Sequence, residues 1–479
     1  MMSGTVKVFL AEALLLPTGI VTAGFLTRQL EPTGYGLLVL ASTIVTWIGW
    51  SITSAFTRTT IKFVGEAEDW RPVGATVLQL HLWLGSAAVL ILWLVADPVS
   101  AWLKEPLLAQ YLRLAALEIP IFCLSYVHRS ILVGLGQFTQ RAIATAARWI
   151  VRLILIVALV AAGLSVFGAI LGSVGAALVE LLVCRLYVRP SLFGRSRFPV
   201  SQLWGYTIPL FLFALSSRLY EKLDLFALKL LGGTAADAGF YGAAQNLALV
   251  PGIFSLAFGP LLLSTLTRTL RQGDLNTAKQ FSQDAMRLVL LLLPFMGLSA
   301  GAAPEIILLI YSDQFLPAAP LFAWLIVGSV ALAMIAVTSC ILTAASKPNW
   351  PFVLTAPMVP LALLGNWLLI PSLGAVGAAI TTTAVATLGA LATVLAIYRL
   401  WGILPPVATI GRSLLLSGVA YGLASAWMTP GWLLLLKLTA ITVLIPIGLW
   451  LLREFSPAEL ALGRSLVTNT WDKLTKQCP

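Results

Sequence analysis

Charged side chains are what this sequence lacks most. Asp, Glu, Lys and Arg together make up 10% of its 479 residues, against roughly a quarter in soluble proteins. Hydrophobic residues reach 59% and the mean hydropathy is +0.95, which excludes a water-soluble globular protein. Histidine and cysteine are nearly as scarce. The two histidines, His81 and His128, lie far apart, and the four cysteines include no CxxC pair, so zinc and dithiol chemistry lack their ligands. Cys123, Cys184 and Cys340 fall within apolar runs and Cys478 is one residue from the end; they read as small hydrophobes and not as a disulfide framework. No cofactor is implied. Acids are outnumbered 19 to 30, for a net charge of +11. The bases punctuate apolar runs instead of gathering into one aromatic-laced patch, so nucleic acid is not their partner.

What the chain has in abundance is apolar runs of about 20 residues, each long enough to cross a bilayer core. Read against Gly, Pro and charge breaks, they predict fourteen spans: 6–27, 37–62, 73–96, 113–135, 142–162 and 166–187; 203–231, 238–265, 283–303, 319–344, 352–370 and 374–398; then 411–428 and 431–452. With the N-terminus inside, about 21 of the 30 basic residues fall on cytoplasmic loops and flanks, among them Arg129 and Arg141, and 3 fall outside: Arg28, Lys104 and Arg113. That bias predicts two cytoplasmic termini. The first span is not read as a signal peptide, because it carries Glu12 and Pro17 and opens a repeated half. Trp47, Trp102, Trp204, Trp350 and Trp432 lie near span ends, where interfacial belts place tryptophan in any case.

The repeat fixes the expected architecture. Tyr35-Gly36 recurs as Tyr241-Gly242 (offset 206), Thr57-Arg58-Thr59 as Thr267-Arg268-Thr269 (offset 210), Ile131-Leu132 as Ile341-Leu342 (offset 210), and Gly172 to Ala177 as Gly374 to Ala379 (offset 202). Six spans per copy is an even number, so the copies enter the membrane in the same sense and are related by an axis along its normal. The expectation is an all-α integral membrane protein: a lobe over 1–200, a second over 201–402, an accessory helix pair over 403–452 and a basic cytoplasmic tail over 453–479. Two such lobes meet face to face around a midplane cavity that can open to either side in turn. Prolines inside spans, among them Pro17, Pro120, Pro209, Pro251, Pro294, Pro357 and Pro446, provide kinks that fit such motion and are also common in membrane helices generally.

Charges inside spans are costly and are functional candidates by default. In the seventh span Arg218, Lys222 and Lys229 fall within roughly 40° on a helical wheel. This basic stripe reads as a cavity site for an anionic group, or as a set neutralised by Glu221 and Asp224 with Lys229 snorkelling to the interface. Arg148 and Arg152, at i, i+4 in the fifth span, give the first lobe its own basic strip, or an interfacial anchor. Glu12, Glu118 and Glu180 read as lone intramembrane acids, Glu12 alternatively as the partner of a base across the lobes; any of them, or Asp224 or Glu221, is a candidate for ion coupling.

These features are joined by Arg28-Gln-Leu-Glu-Pro-Thr-Gly-Tyr-Gly36 after the first span, Lys62-Phe-Val-Gly-Glu66 after the second, Gly134-Leu-Gly-Gln-Phe138 after the fourth, and Leu223-Asp224 with Gly239-Phe-Tyr-Gly242 around the seventh. Together they resemble the polysaccharide flippases, the Wzx-like branch of the multidrug, oligosaccharidyl-lipid and polysaccharide export superfamily. The resemblance implies a V-shaped pair of lobes in the bacterial inner membrane that carries an undecaprenyl-diphosphate-linked oligosaccharide between leaflets for surface polysaccharide (lipopolysaccharide, O-antigen) synthesis. It further implies cavity arginines receiving the diphosphate, proton or sodium coupling, and a glycan polymerase with chain-length machinery as partners. Arg218 carries over by character and Asp224 by pattern; the last two spans also echo fourteen-span lipid II flippases. A cation-coupled drug exporter of the same superfamily would call for a cavity dominated by acids. A membrane glycosyltransferase or polymerase would need an outer loop with paired acids, and 97–110 has none.

Overall fold

In the computed structural model the described residues are 2–191, 220, 222–347, 349–429 and 431–455. They are almost wholly helical, and no strand occurs among them. The first lobe comprises α1 (Met2–Ala13), α2 (Leu15–Glu66), α3 (Arg71–Trp102), α4 (Leu108–Ala116), α5 (Glu118–Gly134), α6 (Phe138–Leu159) and α7 (Ser165–Tyr187). The second begins with helical residues 222–230 and continues through α8 (Ala235–Ala248), α9 (Val250–Arg271), α10 (Leu275–Leu290), α11 (Leu293–Gly301), α12 (Ala303–Ile310), α13 (Ala318–Ala344), α14 (Trp350–Thr355) and α15 (Met358–Trp401). The accessory pair is α16 (Val407–Ala426) and α17 (Leu433–Leu451).

Among the described residues nine helical stretches are long and apolar enough to cross a membrane. Three of them run for 50 residues or more, over twice the length one crossing needs, and each turns midway. α2 turns at Glu31 (φ 57°), where the following Pro32 disfavours helical backbone. α6 and α7 are separated by a π-helical turn, Val160–Leu164, in which Gly163 has φ 91°. α15 turns at Gly374 (φ 58°). That makes twelve passes. α8 and α9 add another, and 222–230 continue the expected seventh span, a count compatible with fourteen.

One repeat match shifts register. Gly168 packs on the carbonyl of Leu159 just after the first lobe's turn, and Gly377 packs on the carbonyl of Leu369 around the second lobe's. That pairing has an offset of 209, in line with the two matches at 210. The Gly172-to-Ala177 match at 202 is therefore displaced by about two helical turns, an error that a repeating small-residue pattern invites.

The lobes meet along α2 and α8 at the end of the molecule that carries Arg28, Lys104 and Arg113, the basic-poor end. Here the chain needs glycine. A Cβ on Gly36 would overlap the Ala235 carbonyl, one on Gly239 the Pro32 carbonyl, and one on Gly242 the side chain of Val39. Backbone-to-backbone approach of this kind is the usual basis of close helix contact in membranes. Tyr35 of α2 accepts a hydrogen bond from Asn246 of α8 (3.0 Å), and Arg28 donates to the carbonyls of Tyr311 (2.8 Å) and Leu309 (3.0 Å).

The accessory pair is fixed to the second lobe at both ends. Its middle packs on α11, where Gly297 and Gly301 leave room for the Ser417 and Tyr421 backbone. Lys437, fully buried, grips Glu305 (2.6 Å), which also accepts from the Thr429 amide (2.7 Å). At the other end Glu454 accepts from Arg287 and Arg412 (2.8 Å each) and from Thr409. Burial alone would raise the Glu454 pKa, but Thr409, Arg412 and Arg287 together hold it below its ordinary value of 4.5. A depressed carboxyl pKa stabilises above the unfolded value and loses that contribution as pH falls through the folded one; loosening of the accessory pair is expected only below about pH 4.5.

Two outcomes follow. Gly36→Val destabilises the purified protein by about 1–3 kcal/mol or more, the range for overpacking, read as a lower Tm in detergent. Glu454→Gln makes the tail after α17 more protease-sensitive at neutral pH, and a cleavage pattern matching wild type would remove the clamp.

Candidate functional site

The charges buried in the first lobe lie on one continuous face. On α6, Arg141, Arg148 and Arg152 are spaced i, i+7, i+11, which returns to nearly the same side of a helix and spans about 16 Å along it. α5 runs antiparallel beside it and places Glu118 and Arg129 on the facing side, with Phe122 and Tyr126 between them. α7 contributes Glu180 and α1 contributes Glu12.

These groups form a ladder. Glu12 accepts from Arg129 (2.8 Å) and Arg141 (3.3 Å) at the basic-rich end of the lobe. Glu180, whose side chain is 0% exposed, accepts from Arg129 (3.2 Å) and Arg148 (2.9 Å). Arg148 reaches Glu118 as well (3.2 Å). Aromatic rings back the guanidinium planes: Arg129 lies over Tyr126 (5.1 Å) and Arg148 over Phe122 (4.8 Å), with Trp50 against both rings. Such cation–π contact is strongest where water is absent.

Among the described residues the ladder is not balanced: four arginines face three carboxylates, one positive charge in excess, and Arg152 touches none of the three. Its Nε meets the Ser173 hydroxyl at 3.4 Å and its guanidinium lies 5.9 Å from the Trp149 ring. Among the described residues the Nε–H groups of Arg129, Arg141 and Arg148 are buried without an acceptor, although arginine donors in a dry site ordinarily find one. Unused donors along the ladder and surplus positive charge at Arg152 suit an oxyanion with several oxygens.

In the second lobe Asp224 is buried and accepts from the hydroxyl of Tyr241 (2.6 Å), from Gln245 (3.1 Å) and from Thr382 (3.2 Å). Lys222 lies half-buried two residues earlier, and its charge acts on Asp224. Lys229 lies seven residues after Lys222 on the same helix. It is buried and donates to Glu105 of the first lobe (2.6 Å) and to the Gly233 carbonyl (3.0 Å), tying the lobes together at the basic-poor end. Arg218 and Glu221 lie outside the described residues.

The expected lone acids of the first lobe are thus corrected: Glu12, Glu118 and Glu180 all pair with arginine, and Glu12 does so within its own lobe instead of across to the second. Arg148 and Arg152 belong to the same network. Arg129 and Arg141 were counted as orientation flanks, and both prove to be rungs. Their signal was present in the spacings Glu118 to Arg129 and Arg141 to Arg152, each eleven residues, on helices that a short loop makes antiparallel.

Kinked helices, nine apolar stretches long enough to cross a membrane among the described residues, and two lobes packed at one end define a two-lobed, multi-pass helical membrane fold. A family model described as polysaccharide biosynthesis protein matches residues 25–320, and the chain belongs to that family. Over 346 residues it is 25% identical to the succinoglycan biosynthesis transport protein ExoT of Rhizobium meliloti (strain 1021); the match covers 67% of this chain and 63% of that protein, less than two thirds of the relative's length. Its fold is similar to that of the lipid II flippase MurJ in an inward closed conformation, with a TM-score of 0.77 at 14% identity over 95% of this chain and 99% of that one. It is also similar to an inward-facing multidrug resistance MATE family transporter of the MOP superfamily, with a TM-score of 0.61 at 17% identity over 85% and 95% of the two chains.

Removing the carboxylate charge at the centre of the ladder strands two arginines. Glu180→Gln is expected to cost about 3–5 kcal/mol, the range for breaking a buried ion pair, and Glu118→Gln less, because Arg148 keeps Glu180. Thermal unfolding of both variants in one detergent checks the order.

Proposed function

We propose that the protein is a flippase that moves an undecaprenyl-diphosphate-linked oligosaccharide from the cytoplasmic to the outer leaflet of the inner membrane by alternating access. The observation that carries this reading is the arginine ladder: a line of intramembrane guanidinium groups with one uncompensated charge, in a chain of the polysaccharide biosynthesis family. A diphosphate is the part of such a substrate that hydrocarbon resists most, and the ladder offers it charge and hydrogen-bond donors along the depth of the first lobe. Arg152, with no carboxylate in contact, is its deepest receiver; Arg148 and the seventh-span bases Arg218 and Lys222 complete the site. Asp224, surrounded by hydroxyl and amide groups, is assigned to coupling with a proton or sodium ion. The positive-inside bias puts the basic-rich end and both termini in the cytoplasm, where lipid-linked precursors are completed, and the glycan polymerase and chain-length machinery act on the product beyond the membrane.

Loss of a charge-assisted hydrogen bond costs about 1.5–3 kcal/mol, so Arg152→Ala is expected to weaken substrate affinity roughly 10- to 100-fold, with Arg152→Lys in between. Arg218→Ala with Lys222→Ala should abolish glycan export while membrane insertion is unchanged. Translocation of a fluorescent lipid-diphosphate oligosaccharide in proteoliposomes measures both. Wild-type transport by the Arg152→Ala protein and by the double variant would refute the anion site.

A further inference from the structure

We infer that Glu12 is a built-in competitor for the substrate's anionic group, so that the mouth of the ladder admits an anion only if it carries more than one negative charge. This inference rests on the reading of the ladder as an anion site, and it assigns to Glu12 a part in specificity in place of a part in ion coupling.

Four observations carry it. The first is geometry. One oxygen of Glu12 is shared by the Nη2 atoms of Arg129 (2.8 Å) and Arg141 (3.3 Å), the position a phosphate oxygen takes when two guanidinium groups hold it. The second is solvation. The Glu12 side chain is 39% exposed, whereas those of Glu118 and Glu180 are 20% and 0% exposed; Glu12 is the acid of the ladder that returns to water at least cost. The third is attachment. Glu12 lies next to the last residue of α1, at the end of the lobe away from the α2 contacts that join the lobes, so its side chain can turn aside without disturbing them. The fourth is unmet capacity. Arg129 and Arg141 each keep a buried Nε–H with no acceptor while Glu12 is in place. A planar carboxylate bridging at one oxygen leaves those donors unused; a tetrahedral phosphate brings more oxygens to them.

Charge then decides what enters. Exchange of Glu12 for a monoanion leaves the net charge at the mouth unchanged and gains little. Exchange for a di- or polyanion adds attraction to Arg129 and Arg141 that the carboxylate never supplied, and the gain grows in a site of low dielectric. The carboxylate works as a threshold, a device of discrimination against the wrong ligand. Its release also passes Arg129 and Arg141 to the incoming group while Glu180 still holds Arg148, so the next rung inward is intact when the anion arrives.

The test uses the full-length protein in nanodiscs of phosphatidylcholine at about pH 5.5, where inorganic phosphate is chiefly a monoanion and inorganic pyrophosphate at least a dianion, with these two as probes by calorimetry. Wild type is expected to bind pyrophosphate more than about tenfold tighter than phosphate. In Glu12→Gln, which keeps the size and removes the charge, both should bind more tightly, phosphate by about tenfold or more, so that the preference shrinks. Glu12→Ser should change binding in the same direction, and unfolding temperatures near that of wild type show that neither variant acts through the fold. Unchanged or weaker binding in Glu12→Gln, with wild type still binding pyrophosphate, overturns the competitor and leaves the anion site standing. Failure of folded wild type and Glu12→Gln alike to bind pyrophosphate overturns both.

Discussion

A guanidinium group inside a bilayer must be answered by something, and that requirement organises the first lobe. Hydrocarbon offers no water to solvate Arg129, Arg148 or Arg152, so carboxylates and ring faces from four helices converge on them. The cost of desolvating each ion is several kcal/mol, and Glu180, with no exposure and two arginine partners, meets that cost twice. Tight packing around it follows from the same need: α5, α6 and α7 must stay close for the rungs to remain joined. The ladder thus holds the lobe together and leaves one charge over.

The seam between lobes is fixed by residues of both. Tyr35 of α2 accepts a hydrogen bond from Asn246 in the second lobe. Lys229 with Glu105, Arg28 with the Tyr311 carbonyl, and the glycine crossing of α2 with α8 close the same end. In the proposed flippase, this closed end is the joint that has to open. The accessory pair has a different place in this picture: Lys437–Glu305 and the Glu454 cluster bind it to the second lobe.

Much of this was legible in the sequence, for reasons that also mark the boundary. Span positions were readable because twenty apolar residues in a row have one stable environment, and the repeat was readable because its motifs keep their order. The turns at Glu31-Pro32 and Gly374 fall where proline or glycine disfavours helix. Pairing was another matter. Glu12 and Arg129 are separated by 117 residues and Lys229 and Glu105 by 124, and no local pattern records which distant helix will face which. Arg129 and Arg141 sit near helix ends, where a topological flank and a buried rung look the same in one dimension. A helical wheel placed Lys229 with Lys222, yet the nearest carboxylate beyond the helix claimed it.

The most direct test is a structure of the protein bound to a lipid-diphosphate oligosaccharide by electron cryo-microscopy. The account predicts density for the diphosphate within about 3 Å of the Arg152 guanidinium, the range of charge-assisted hydrogen bonds, with Arg148 beside it. Diphosphate density held elsewhere, with Arg152 still against Ser173 and no anion along the α6 face, would contradict it.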